Sequence, residues 1–289
     1  MGYESVLRPD AFKGRNIIVT GGGSGFGRCN AHEFASLGAN VFLVGRNKEK
    51  LETVQKEIID DGGVCDHGTC DIRDEASVKA LVASIIEKHG VIHGLVNNAG
   101  GQFPSPLDSI SKNGWDAVVS TNLTGGFLMA REVYKQSMSE HGGSIVNIVA
   151  DMWGGMPGMG HSGAARAGMA NFTQTAAYEW GHSGVRVNAV APGWISSSGM
   201  DTYPDDFKRT LKKLQHAVPL GRLGNEAEIS SSLCFLLSDA ASYISGTVLR
   251  VDGAASQGNT AVYPLPQDCK NLKPFPGFHR EVVPELFKD

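Results

Sequence analysis

Two short stretches hold the residue types and spacings most suited to chemistry. The first is "TGGGSGFG", Thr20 to Gly27, which follows the apolar run "RNIIVT" and opens a segment with helical spacing. Gly21, Gly25 and Gly27 permit a tight turn and a close approach of backbone to a pyrophosphate. The free N–H groups of the helix start then attract that anion. Ser24 and Phe26 sit within the same turn. The second stretch is "GMGHSGAARAGMANFT", Gly158 to Thr173, with Asp151 shortly before it. Together they offer a carboxylate (Asp151), an imidazole (His161), a hydroxyl (Ser162) and a guanidinium (Arg166). An unactivated serine hydroxyl donates a hydrogen bond but is a poor general base. A guanidinium donates without relaying a proton, because it stays charged. The titratable candidates are therefore Asp151, at the C-terminal end of an apolar run where parallel sheets place their chemistry, and His161. On a helix His161 points about 100° away from Ser162, so a packed or capping role suits it equally.

The end of the second apolar run, "ANVFLVG", bears on the nucleotide. Proteins that prefer NAD(H) carry a carboxylate there for the adenosine ribose. Here Gly45 is followed by Arg46, and no acid sits at the turn to repel a 2'-phosphate. Arg46 can form a charge-assisted pair with that phosphate, which favours NADP(H) over NAD(H); a solvated surface arginine is the plainer alternative. Ser24 can add a hydroxyl to the same phosphate. Asp71, with Ile72 beside it after the third apolar run, can accept from the adenine amino group.

These residues need a scaffold, and the chain alternates in the required way. Apolar runs at "RNIIVT", "ANVFLVG", "GVCDHGTCDI", "IHGLVNNAG", "GSIVNIVA", "VRVNAVAPG" and "GTVLRVDG" are separated by amphipathic stretches. Those stretches predict helices over about 25–38, 48–60, 75–90, 114–140, 161–182 and 225–237. The reading is an α/β, Rossmann-type doubly wound parallel sheet of about seven strands with helices on both faces. Residues 1–253 read as one dinucleotide-binding domain with a small helical lid over 196–219, and 254–289 as an irregular tail packed on the core. The length of 289 residues and a 41% hydrophobic content suffice for such a core. A net charge of -4 argues against nucleic acid as a partner. No apolar run reaches membrane length and no signal peptide opens the chain, so the cytoplasm is the expected compartment. The five cysteines, Cys29, Cys65, Cys70, Cys234 and Cys269, show no metal-binding spacing; free thiols and no metal are expected.

In order, TGxxxGxG, "NNAG" (Asn97 to Gly100), "TNLTG" (Thr121 to Gly125), "GSIVNI" (Gly143 to Ile148) and "NAVAPGWI" (Asn188 to Ile195) resemble the short-chain dehydrogenase/reductase superfamily over about residues 12–253. Within it the chain is similar to peroxisomal trans-2-enoyl-CoA reductases, through "GGQFPSPLDSISKNGWDAVVSTNLTGGF", "EHGGSIVNI" and "HSGAARAG". It also resembles bacterial citronellol/citronellal dehydrogenases, through "YESVLRPD" and "PFPGFHR". The resemblance implies that Asn98, Ala99 and Gly100 line the adenine-ribose side. It implies that Pro192, Gly193, Ile195 and Ser197 close over the nicotinamide. It also makes Asn122 an active-site asparagine that kinks a helix and holds a water. The family's catalytic serine, tyrosine and lysine fall on Ala150, Ser162 and Arg166. Arg166 can still donate to the nicotinamide ribose, and Ser162 can donate to a substrate oxygen.

The missing base bears on the reaction. Alcohol oxidation must remove a hydroxyl proton, whereas reduction of an enoyl thioester needs only donors at the oxygen where charge collects. The expectation is an NADP(H)-dependent reductase of trans-2-enoyl thioesters. A dehydrogenase of branched medium-chain alcohols, with Asp151 or His161 as base, is the alternative, and a nucleotide-binding module without turnover the third reading. Met152, Trp153, Met156, Met159 and Met200 suggest an adaptable apolar lining for an acyl or isoprenoid chain. Lys208, Arg209, Lys212 and Lys213 offer a basic patch to coenzyme A phosphates. The resemblance also implies a homotetramer, with a dimer as the alternative.

Overall fold

The chain alternates strand and helix from the start, as the apolar runs predict. The computed structural model describes residues 2–5, 7–258, 264 and 273–288. In chain order the elements begin with β1 (Asn16–Thr20), α1 (Gly25–Ser36), β2 (Asn40–Gly45), α2 (Lys48–Asp60), β3 (Val64–Thr69), α3 (Glu75–His89) and β4 (Gly94–Asn97). A long helical run follows: α4 (Lys112–Val119), α5 (Gly126–Val133) and α6 (Ser139–His141). Then come β5 (Gly143–Ile148), α7 (Gly160–Trp180), β6 (Val185–Pro192), β7 (Ile195–Ser196), α8 (Asp205–Leu214), β8 (Gly224–Asn225), α9 (Glu226–Leu237) and β9 (Val248–Val251). Seven strands form one parallel sheet in the order β3-β2-β1-β4-β5-β6-β9, and β7 pairs with β8 beside it. The strand order reverses between β1 and β4, the place where such sheets open a crevice for ligand.

The central strands β1, β2, β4, β5 and β6 are buried, which is why they read as near-continuous apolar runs, while β3 and β9 at the edges are partly exposed. Along β1, Ile17 and Val19 enter one half of the core with Phe34 and Leu233, while Ile18 enters the other with Leu95 and Met129. Buried polar groups tie the central strands together. Asn97 donates to Asn147 Oδ1 at 3.0 Å, and Asn147 donates to Thr173 at 2.8 Å, joining β4, β5 and α7. The Thr20 hydroxyl accepts from the backbone N–H groups of Asn98 and Ala99, and Asn98 Nδ2 donates to Thr20 O, locking the end of β4 to β1.

One expected helix, 114–140, takes a different form. It is interrupted by π turns at Ser120–Gly125 and Tyr134–Met138. The first of these carries Asn122, whose side chain is engaged outside the helix; such bulges redirect a side chain at the cost of regular pairing.

Two segments outside the sheet bear on the site. Residues 196–219, the expected lid, contain α8 and short 3₁₀ turns. The side chains of Arg209 and Lys212, half of the expected basic patch, lie outside the described residues, as do Cys269 and most of residues 259–272. Residues 273–288 pack over α1 and α9. Phe278 is buried beside Tyr3 and under the Arg28 guanidinium (5.2 Å), and Arg280 pairs with Asp61 at 2.9 Å. Further on, Glu285 N donates to Asp201 Oδ1 in the lid at 3.0 Å. Cys29, Cys65, Cys70 and Cys234 are buried free thiols. No described helix is long and apolar enough to cross a membrane, and the described residues hold no cluster of metal-ligating side chains.

Candidate active site

A cleft of about 440 Å³ opens at the C-terminal ends of β1, β4, β5 and β6. Gly21, Ser24 and Phe26 line it from the first turn, Asn98, Ala99 and Gly100 from the end of β4, and Pro192, Gly193, Ile195 and Ser197 from the end of β6. Arg166 lines it from α7. Most of the residues expected to hold a nucleotide therefore meet around one space.

The first turn fits a pyrophosphate. Gly21 has φ +66, and a Cβ on Gly27 would lie 2.3 Å from Gly21 O and 2.6 Å from Asn98 Nδ2. Side-chain caps close the starts of α2, α3 and α9 through Asn47, Asp74 and Asn225. At α1 the N-cap residue is Ser24, and its hydroxyl makes no capping bond. The helix thus presents uncapped N–H groups and a hydroxyl at the cleft, the arrangement that attracts an anion.

Arg166 spans the middle of the cleft. Its Nη1 donates to Ile148 O at 2.5 Å. A Cβ on Gly100 would lie 2.6 Å from Arg166 Nη2 and 2.9 Å from Asn122 Oδ1, so glycine is what lets the guanidinium and the asparagine approach the backbone. Burial pushes the guanidinium down to about 10, which leaves it charged at neutral pH. Asn122 is buried, and its amide brackets one residue: Oδ1 accepts from Gly101 N at 2.8 Å and Nδ2 donates to Gly101 O at 2.9 Å.

The three polar candidates near Arg166 take other positions. Ser162 is fully buried, and its hydroxyl donates to Gln102 Oε1 at 2.7 Å. The serine expected to donate to substrate gives its proton to Gln102 in this structure. His161 is also fully buried. Its ring sits edge-on to Phe103 at 4.4 Å, and Nδ1 accepts from Ser162 N; this is a packed histidine, with Nε2 lacking a partner among the described residues. Asp151 keeps a buried Oδ1 without a described partner, and it is the neighbouring Ala150 that lines the cleft. Of the five residues expected to form an apolar lining, Met200 does so. Met159 is buried, Met152 packs on the core, and Trp153 is half exposed with the Arg250 guanidinium 3.7 Å from its ring centre.

The residues expected to meet the adenosine follow β2 and β3, toward one edge of the sheet. Arg46 is exposed there and acts electrostatically on Asp71. Asp71, next to the buried Ile72, is clasped by Arg73, which holds its carboxyl down to about 2. A side recess brings Gly25, Phe26 and Ser24 together with Lys50.

Sequence reasoning missed Lys50, Gln102 and Tyr203. Lys50 was legible in principle, one turn into α2 beyond its Asn47 cap. Gln102 and Tyr203 bond each other across 101 residues of chain (Nε2 to phenol oxygen, 3.0 Å), a contact that no local periodicity reports.

A fourth missed group is Glu226, at the start of α9. It is buried, with Oε1 3.9 Å from where a Cβ on Gly25 would sit. Burial pushes its carboxyl up to about 7, against a smaller opposing effect of Arg28. The folded pKa is raised, so the folded state holds the proton longer than the unfolded chain. Stability is then full below about pH 4.5 and falls as pH rises toward 7. His32 acts with the opposite sign: burial lowers it to about 4, so its charging penalty is present at low pH and disappears as pH rises to about 6.5. Glu226→Gln should therefore melt higher than the parent by an amount that grows between pH 5 and pH 8, up to about 3 kcal/mol. Thermal melts of both proteins across that range check this; a constant gap rules it out.

A family described as "Enoyl-(Acyl carrier protein) reductase" matches residues 21–256. The chain belongs to the short-chain dehydrogenase/reductase family. A family relative from Bacillus subtilis (strain 168), "Probable 2,4-dienoyl-CoA reductase [(2E)-enoyl-CoA-producing]", is 37% identical over 240 residues, covering 82% of this chain and 94% of its own length. Among solved family members, "citronellol catabolism dehydrogenase (AtuB)" of Pseudomonas aeruginosa PAO1 is 60% identical. Its TM-score is 0.80, and the match covers 88% of this chain and 100% of that one. Levodione reductase superposes with a TM-score of 0.80 at 34% identity, over 86% of this chain and 100% of its own. The protein is thus an oxidoreductase of this family, a class that uses nicotinamide cofactors.

Proposed function

We propose that the protein is an NADP(H)-dependent reductase of 2-enoyl thioesters. One observation carries the reading: the positions of the family's tyrosine and lysine hold Ser162, whose proton is already committed, and Arg166, which cannot relay one. That pair suits hydride delivery to a conjugated double bond better than removal of an alcohol proton. The dienoyl-CoA names borne by relatives support the same substrate class.

The bound nicotinamide would supply the hydride. The chain's residues bind and orient. Gly21, Ser24 and the start of α1 would hold the pyrophosphate, and Arg166 would donate to the nicotinamide ribose. Asn122 fixes the Gly101 backbone at the edge of the reacting space. Asp151 has a buried oxygen without a described partner but does not line the cleft, and His161 packs on Phe103, so neither is assigned the proton.

Arg46 would meet the adenosine 2'-phosphate, with Lys50 near Ser24 as a second cation and Asp71 beside the adenine. Removing one charge-assisted bond costs about 1.5–3 kcal/mol. Arg46→Ala should thus raise KM for NADPH by about 10-fold or more while leaving KM for NADH within twofold, as read in parallel titrations of the two cofactors. Equal changes for both would remove Arg46 from this role.

A second reading, oxidation of a branched medium-chain alcohol, rests on the 60% identity to the citronellol catabolism dehydrogenase. Following NADPH absorbance with crotonyl-CoA and hexenoyl-CoA, then NADP⁺ reduction with citronellol, separates the two. NADPH binding with neither signal would leave a binding module. Homotetramer assembly is part of the proposal, supported by the exposed Trp115, Phe127 and Tyr178 on α4, α5 and α7; light scattering of the purified protein tests it.

A further inference from the structure

We propose that Tyr203, carried on the lid, donates the proton that the family's tyrosine position no longer supplies. The inference rests on the thioester-reductase reading and deepens it by naming the donor.

The observation is a chain of three side chains from distant segments. Ser162 of α7 donates to Gln102 Oε1 (2.7 Å), and Gln102 Nε2 donates to the Tyr203 oxygen (3.0 Å). The chain starts where the family keeps its tyrosine and ends at a phenol. Tyr203 lines the cleft together with Arg166, Ala150 and Gly101, and it is the one tyrosine among the described lining residues. As the phenol oxygen accepts from Gln102, the phenol's own proton is left to donate elsewhere. The ring is held by Phe207, with centroids 5.1 Å apart. The lid turn just before it is held by the bond from Glu285 N to Asp201.

Hydride from NADPH brings its electron pair to the β-carbon and forms a C–H bond there. The π electrons of the double bond shift toward the thioester, and charge collects on the carbonyl oxygen. The Tyr203 O–H bond breaks as its proton moves to that oxygen, giving the enol. Water then carries the enol to the saturated thioester, and the phenolate recovers a proton from water. Ser162 and Gln102 touch neither substrate nor cofactor in this scheme; they are positioning residues.

Tyr203→Phe deletes the hydroxyl and keeps the ring on Phe207. The expected result with hexenoyl-CoA is a kcat about 100-fold lower, with KM and NADPH affinity within threefold. Gln102→Ala and Ser162→Ala should each cost about 10-fold in kcat and add little in combination with Tyr203→Phe, because the three act as one unit. A readout without turnover uses 2,4-hexadienoyl-CoA bound in the presence of NADP⁺. Donation to its carbonyl shifts its ultraviolet band to the red in the parent protein, and the shift is lost in Tyr203→Phe. A Tyr203→Phe variant within threefold of the parent, a retained red shift, or additive losses with Gln102→Ala would overturn the proposal. If the parent turns over citronellol but no enoyl thioester, the thioester reading falls. Tyr203 then stands only if Tyr203→Phe loses about 100-fold on the alcohol. Absence of turnover and of a red shift overturns both.

Discussion

Arg166→Ala should lower kcat/KM for NADPH-dependent reduction by about 1,000-fold. The guanidinium replaces a lysine in this family's pattern and would make two charge-assisted bonds to the ribose, each contributing about 1.5–3 kcal/mol. Its loss also leaves Ile148 O without its donor and opens a gap against Gly100 and Asn122. Arg166→Lys tests geometry apart from charge. A lysine is a point charge and cannot reach Ile148 O and the ribose as one planar fork, so it should recover only part of the loss. Steady-state kinetics with purified variants, beside a fluorescence titration of NADPH, give both numbers. A loss of less than threefold in Arg166→Ala would remove the residue from the site.

Gly27→Ala is the second large effect. A methyl at this position would lie 2.3 Å from Gly21 O and 2.6 Å from Asn98 Nδ2. Neither neighbour can give way cheaply: the first is backbone in a positive-φ turn, and the second is locked to Thr20 O at 2.9 Å. The turn must open, and the N–H groups at the start of α1 lose their aim. NADPH affinity should fall at least 100-fold, measured by the same titration. Circular dichroism and a thermal melt on the variant separate a displaced turn from an unfolded chain. Binding within tenfold of the parent in a folded variant would mean that the pyrophosphate lies elsewhere.

The fold was legible because its central strands are buried. Runs such as "NVFLVG" leave a single reading, and the glycine turn between "NIIVT" and α1 names the crevice. The wall of the cleft was legible for the same reason, since Gly21, Gly100, Pro192 and Ile195 all sit at strand ends. Side-chain direction was not. Ser162 lies on the expected turn of α7, but packing rotates its hydroxyl onto Gln102. His161 found an aromatic partner, Phe103, 58 residues earlier in the chain. The break in the helix around Asn122 comes from a tertiary bond to Gly101 that competes with regular helix. Such outcomes depend on which distant segment arrives opposite, and periodicity carries no record of that.

The bond between Gln102 and Tyr203 has a consequence in time if Tyr203 is the donor. It joins the loop after β4 to the segment that carries the phenol, and both residues line the cleft. Movement of that segment away from the cleft would take the phenol with it, so the proton would be delivered only while this bond is made. The arrangement would then act as an interlock.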